Sequence, residues 1–294
     1  MAESTGQTPS RVDLEASTFQ RLHPRTYFER FIAEGFRPDG RKVDAWRDVR
    51  INVGSISTAN GSSLVRIGDS TIVCGVKAEI AEPDLERPSE GFIVPNLDLP
   101  AICSPKFKPG PPAEEAQMLS EKITILTKLT YSSNAIDPKT LCIHPGKAAW
   151  VIYVDAVCIN YDGNILDATM LAVVAALQNG ILPARIPVPT YDLDTGRTTC
   201  SRTETLPLAL THMPVTISFG IFDRAHLISD PSSFEEPLLD AAITVTIDVS
   251  SGALGGINQV GFSAPSATLE TITQRAITHS KIIAEALVQA KNTA

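Results

Sequence analysis

The residues with the chemistry to act on a substrate are mostly carboxylates. Asp155, Asp162 and Asp167 surround a long apolar run, and Glu235, Glu236 and Asp240 follow further on. Carboxylates in pairs are candidates for acid–base work, and Asp155 with Asp162 is the pairing that a small-molecule enzyme would use. Each also has a structural explanation. Asp162 precedes Gly163 in a turn, Asp167 stands where a helix N-terminus favours an acid, and Glu235-Glu236 beside Pro237 reads as a solvated loop. Five histidines (His23, His144, His212, His226 and His279) are scattered, and none has the i, i+4 partner of a helical zinc site. No P-loop, dinucleotide fingerprint or Gly-x-Ser-x-Gly elbow is present. These residues alone give an α+β protein with no evident active site, and no metal or cofactor is expected.

The elements that must position these groups come from 294 residues, 43% of them apolar, with 18 Gly and 21 Pro. Such a chain can bury a sizeable core. A net charge of −8 is the opposite of a free-standing nucleic-acid binder's basic footprint, so any RNA contact must be local or shared with basic partners. Cys74, Cys103, Cys142, Cys158 and Cys200 have no Cys-x-x-Cys spacing and are odd in number, which points to a reducing compartment. The first twenty residues lack the apolar stretch of a secretory signal, and no apolar run is long enough to span a bilayer. The expectation is a soluble, intracellular protein with no membrane partner.

Residues 1–22 read as a flexible tail and 23–294 as one domain. Between Arg47 and Glu79, short β-rich runs alternate with turns at Asn60-Gly61 and Gly68-Asp69, which predicts an antiparallel meander. FIVPNLDL is a further strand. A helix is expected after Pro111-Pro112, with Glu114 and Glu115 in its first turn and Leu119, Ile123 and Leu126 on one face. AAWVIYVDAVCINYD reads as a strand buried on both faces, and ILDATMLAVVAALQNG as a buried helix. Residues from Ile181 to about Leu206 read as a Pro-rich insertion or long loop. Four more strands and a closing helix bearing Leu269, Ile272, Ala276, Ile283 and Leu287 complete a strands-then-helix pattern that occurs twice.

RPDGR (Arg37 to Arg41), GSISTANGSSLVRIGDSTIVCGVKAE (Gly54 to Glu79), VPNLDLPAICSPKFKPGPPAEEAQ (Val94 to Gln117), LCIHPGKAAWVIYVDAVCINYDGNILDA (Leu141 to Ala168) and MPVTISFGIFD (Met213 to Asp223), taken in that order, resemble the RNase PH superfamily. They are similar to its non-catalytic branch of exosome ring subunits. The resemblance implies the RNase PH fold, a duplicated β-rich and helical α+β module of the ribosomal protein S5 domain 2-like type. Active members of this family degrade RNA from the 3′ end with phosphate as the attacking group.

By that resemblance, the phosphate-binding Arg of the family falls at Leu166. The family's Arg-Arg pair falls near Ala113-Glu114, and its catalytic Asp pair near Glu236 and Ala242, after Asp230-Pro231. Leu cannot bind an anion, so the resemblance implies no catalytic residues and a structural role in forming the central RNA channel. The partners it implies are other RNase PH-like ring subunits, RNA-binding cap subunits, associated exoribonucleases and RNA passing through the channel. Nucleus, nucleolus and cytoplasm are the expected locations. Lys106, Lys108 and Lys122 are the local cations expected to meet RNA. The alternative is a phosphorolytic exoribonuclease whose site is completed by a partner subunit.

Overall fold

The computed structural model describes residues 11–110, 114, 117–122, 136–178, 185–192, 197–208, 210 and 212–293. The expected meander is present: β1 (Val49–Val53), β2 (Gly61–Ile67) and β3 (Ser70–Ala81) pair antiparallel in sequence order. Gly68-Asp69 closes the second hairpin between Ile67 and Ser70. Gly68 has φ +58°, and a Cβ there would lie 2.4 Å from Cδ of Arg47, so both the turn and the close approach of that side chain require glycine.

This sheet continues through β6 (Ala148–Asn160), which pairs antiparallel with β3 and parallel with β4 (Phe92–Asp98); the short β5 (Cys142–His144) also joins β6. β6 is buried on both faces only as far as Ile152. Beyond that it alternates, with Tyr153 and Asp155 outward. The expectation of two buried faces is therefore corrected for its second half, where one face of the sheet has no covering layer among the described residues.

The buried helix forms as α3 (Ile165–Gln178), with every residue from Ile165 to Leu177 buried. It contacts β2 and β3 on one side and β9 (Pro214–Phe222) on the other, so it lies between two sheets. The apolar sequence on all sides of this helix follows from that position. Fully burying each Leu, Ile, Val or Met side chain contributes roughly 1.5–3 kcal/mol. The second sheet runs β10 (His226–Ser229), β9, β11 (Ala241–Asp248), β12 (Leu254–Gly261). Helix α4 (Ser266–Thr293) packs on β1, β9 and β11 and buries Ile272, Ala276, Ile283 and Leu287. Each sheet is thus followed by a helix, as the duplicated pattern implied.

Two segments differ from the expectation. The Pro-rich insertion contains an antiparallel ribbon of β7 (Arg185–Asp192) and β8 (Arg197–Pro207). The register shifts between Pro187 and Pro189, so the prolines stand at an irregularity, where a strand tolerates their missing N–H. Part of the expected tail is helical: α1 (Arg11–Leu22) precedes α2 (Pro24–Ala33). The Phe19 ring lies 6.3 Å from that of Tyr27, and Arg30 lies over Phe19 at 4.9 Å. α2 opens on Pro24, suited to a first helical turn, and buries Phe28 edge-on against Phe222 at 4.8 Å. Residues 117–122 are helical; Pro111, Pro112, Ala113, Glu115, Ile123 and Leu126 of that expected helix lie outside the described residues. Among the described residues, no helix is long and apolar enough to cross a membrane.

Candidate functional site: the loop before α3

The turn from β6 into α3 gathers several buried polar side chains, among them Ser70, Asn164, Asp167 and Asp230. Asp162-Gly163 forms it, with φ +76° at Gly163, where a Cβ would lie 2.4 Å from the Ser233 nitrogen. Asn164 follows, also with positive φ. Beneath the turn, Arg47 donates from Nε and Nη2 to the two Asp230 carboxylate oxygens at 2.8 and 2.7 Å, and from Nη1 to the Asp162 carbonyl at 2.6 Å. Asn164 Nδ2 donates to Asp230 at 2.7 Å and to Asp167 at 2.9 Å. Asp167 also accepts from the Ser218 hydroxyl at 2.8 Å and the Ser218 amide at 2.7 Å. One chain of hydrogen bonds therefore joins the first sheet, α3 and the second sheet.

The two acids at its centre are driven in opposite directions. Burial raises the Asp230 carboxyl, but the hydrogen bonds and charge of Arg47, with Asn164, outweigh it and hold the group at about 2. For Asp167, burial prevails over its donors Asn164 and Ser218 and pushes the carboxyl up to about 6. Buried hydrogen-bond networks of this kind rigidify a fold; Arg41 adds a bond from Nη1 to the Asp230 carboxylate at 3.2 Å.

A second buried pair stands behind it. Arg37 donates from Nε to Glu235 at 2.8 Å and from Nη2 to the other carboxylate oxygen. It also donates to the carbonyls of Ser229 at 2.7 Å and Asp230 at 2.9 Å. Both side chains are buried. This corrects the reading of Glu235-Glu236 as a solvated loop: Glu235 is buried and Glu236 half-buried.

The residues singled out from sequence divide between core, cleft and surface. Leu166 lies in the hydrophobic core, 9% exposed. Glu236 turns back onto the loop: one carboxylate oxygen accepts from the Asn164 amide at 2.7 Å and the other from the Tyr161 hydroxyl at 2.8 Å. Lys106 stands 5.4 Å from the Tyr161 ring centre. With Ser104, Ser233 and Pro237 these residues line a cleft of about 530 Å³. Ala242 lies on β11, its side chain exposed, opposite Gly220 and Val260. Lys108 is exposed and Lys122 half-buried. Lys106 and Glu236 are thus brought together.

The remaining candidates serve structure. Asp155 lies on the open face of the first sheet beside Asn96, at 3.4 Å, whereas Asp162 faces Arg47 and Ser233, so the pairing of Asp155 with Asp162 does not form. Asp240 meets Arg25 at 3.5 Å. His212 bonds Asp248 at 2.9 Å, His144 packs at a tilt against Tyr191, and His279 stacks on Trp46 at 4.2 Å. No group of three metal-ligating residues occurs among the described residues. Arg37, Arg47, Asn164 and Asp230, which organise the region, were not singled out from sequence, because the partners of Arg37 and Arg47 lie more than 100 positions away.

Comparison with known proteins agrees with this geometry. Residues 45–183 match the RNase PH family model, described as 3′ exoribonuclease family, domain 1. The chain is 41% identical to exosome complex component rrp43 of Schizosaccharomyces pombe over 80% of this chain and 84% of that one. It is 35% identical to exosome complex component Rrp42 of Thermococcus kodakarensis over 76% and 79%. A solved Archaeoglobus fulgidus exosome with RNA bound to the active site superposes with a TM-score of 0.75 at 28% identity, covering 93% of this chain and 99% of that one. With the duplicated architecture and these relatives in agreement, the chain belongs to the RNase PH family, on the branch that supplies exosome components.

Proposed function

We propose that this chain is a non-catalytic structural subunit of an exosome-type ring. In that role it pairs with other RNase PH-like subunits and helps to form the channel through which RNA reaches associated exoribonucleases. RNA-binding cap subunits would sit on the same ring, in nucleus, nucleolus and cytoplasm. The observation that carries this reading is Leu166. The position where the family resemblance places a phosphate-binding Arg holds an apolar side chain buried in the core. Phosphorolysis must bring phosphate and RNA, two anions, to one place, which needs fixed cations. Loss of one general acid–base group typically lowers a rate roughly 10²–10⁴-fold, and Ala242 is in addition no acid.

A need for partners is supported by β12, the outer strand of its sheet. Leu254, Ile257 and Val260 on it are 47%, 41% and 55% exposed. An open edge with apolar side chains is a template for association with another chain. The test is incubation of the purified chain with single-stranded RNA, phosphate and magnesium, alone and with ring partners of inactivated site. No nucleoside diphosphate should appear. Phosphate-dependent release that Glu236→Ala abolishes would establish a shared phosphorolytic site instead.

A further inference from the structure

Among the described residues, five buried side-chain polar atoms have no hydrogen-bond partner within the protein, and three of them converge. Trp46 Nε1, Thr216 Oγ1 and His279 Nδ1 belong to residues that line one small cavity. Buried polar atoms are normally bonded, so each of these needs a partner. The cavity lies where the segment before β1, strand β9 and helix α4 meet, with Leu171 and Ile283 on its apolar side. Its other polar groups, Arg47, Asn164, Asp167 and Asp230, already bond one another. Thr216 stands near enough to Asp167 to help hold its charge, yet completes no hydrogen bond of sound geometry. The two rings cannot serve each other either. They are stacked 4.2 Å apart and 11° from parallel. An indole N–H and an imidazole lone pair each lie in the plane of their own ring, so stacking sets them side by side rather than face to face.

We propose that this cavity is the binding site of one ordered water molecule, which accepts from Trp46 Nε1, donates to His279 Nδ1 and shares a third hydrogen bond with Thr216 Oγ1. The volume is about 20 Å³. One water needs roughly 10–15 Å³ of such space and two to four polar partners, so the cavity suits one and not two. The chemistry of the three atoms selects water over an ion. An indole N–H only donates and repels a cation, while the Asp230 carboxylate in the same wall repels an anion. Burial depresses His279 to about 4, so at neutral pH the imidazole is uncharged and has a lone pair to offer. The water then decides the tautomer, because an accepting Nδ1 leaves the proton on Nε2. Through this bridge the segment before the first sheet, the second sheet and the closing helix share one buried contact. The inference is independent of whether the chain turns over RNA.

The experiment is NMR on the full chain at neutral pH, with nitrogen-15 in tryptophan and histidine only. The sequence has two tryptophans, Trp46 and Trp150, so Trp46→Phe assigns the indole signals by elimination. The Trp46 indole proton should show a rotating-frame Overhauser peak to water, with the sign of a bound molecule rather than of proton exchange. Long-range proton–nitrogen spectra should place the His279 proton on Nε2. Oxygen-17 relaxation dispersion counts the long-lived waters. Thr216→Val/His279→Phe leaves the indole as the one remaining partner and should lower that count by one, whereas Thr216→Ser keeps the hydroxyl and should leave it unchanged. A protected Trp46 indole with no water peak has a direct protein acceptor and overturns the proposal. So does a His279 proton on Nδ1, or an unchanged water count in the double variant. The first two readouts use wild type, so they decide the matter even where the double variant fails to fold.

Discussion

Arg37 and Glu235, 198 positions apart in sequence, meet as a bidentate ion pair with both side chains fully enclosed. The pair ties the segment after α2 to the loop between β10 and β11, and the remaining guanidinium protons go to main-chain carbonyls. Breaking such a pair leaves one charge buried without its partner, at a cost of about 3–5 kcal/mol, whereas replacing both by apolar groups is often near neutral. Glu235→Ala and Arg37→Ala should each lower unfolding free energy by that order. Arg37→Met/Glu235→Leu should recover most of it. A double variant as unstable as the sum of the singles would mean that the main-chain hydrogen bonds of Arg37, rather than the pair, hold this loop.

The contrast between Glu235 and Glu236 shows what was legible in the sequence. Strands with period-two patterns and tight turns, such as β1 to β3 with Gly68-Asp69, announce themselves because pattern and turn chemistry are local. So does α3, whose unbroken apolar run has no other place than between two layers. Glu235-Glu236-Pro237 carries no local mark of which acid is buried, because the deciding partner, Arg37, lies in a distant segment. The β7–β8 ribbon was hidden for a different reason: its prolines argue against a strand except where the register breaks. Leu166 was singled out through resemblance alone, and it lies in the core.

Asp230 predicts the response to acid. Its carboxyl is held at about 2 against an ordinary 3.8, so the unfolded chain takes up this proton first as pH falls. Stability from the Arg47–Asp230 contact is therefore complete above about pH 4 and lost as pH drops toward 2, amounting to roughly 2 kcal/mol. Chemical denaturation across this range should show the loss in wild type, and Asp230→Asn should lack that part of the pH dependence. Parallel curves for the two proteins would refute the assignment.

His279 and Asp167 act against one another at milder pH. Burial depresses the His279 imidazole from 6.5 to about 4, despite attraction from Asp230, so its contribution is present above pH 6.5 and lost as pH falls toward 4. Asp167, raised by burial to about 6, contributes stability below about 3.8 that is lost as pH rises through 6. The two slopes oppose between pH 4 and 6, and wild-type stability should be nearly flat there. His279→Phe, which keeps an aromatic ring on Trp46, should make stability fall with rising pH in that window; Asp167→Asn should make it rise. Proton NMR of His279 should show no titration near 6.5, and a normal midpoint there would remove the basis for the His279 slope.

RNA affinity should belong to the assembled ring and respond to local cations even though this chain carries −8 overall. Lys106 and Lys108 are both exposed on the loop after β4, ahead of the helical residues 117–122, and Lys106 lines the cleft that holds Glu236. Binding at a phosphate releases condensed counterions, so each lysine that meets single-stranded RNA adds roughly 0.7 to the slope of log affinity against log salt. Lys106→Glu/Lys108→Glu in a reconstituted ring should weaken binding of channel-length RNA and reduce that slope by up to about 1.4, the share of two such lysines. Lys108→Glu alone should give about half the reduction, with assembly unchanged by native mass spectrometry. Fluorescence anisotropy across a salt series reads both quantities. Unchanged affinity and slope in the double variant would place the RNA path away from this loop, because a complex that no longer neutralises two phosphates must release fewer counterions when it forms.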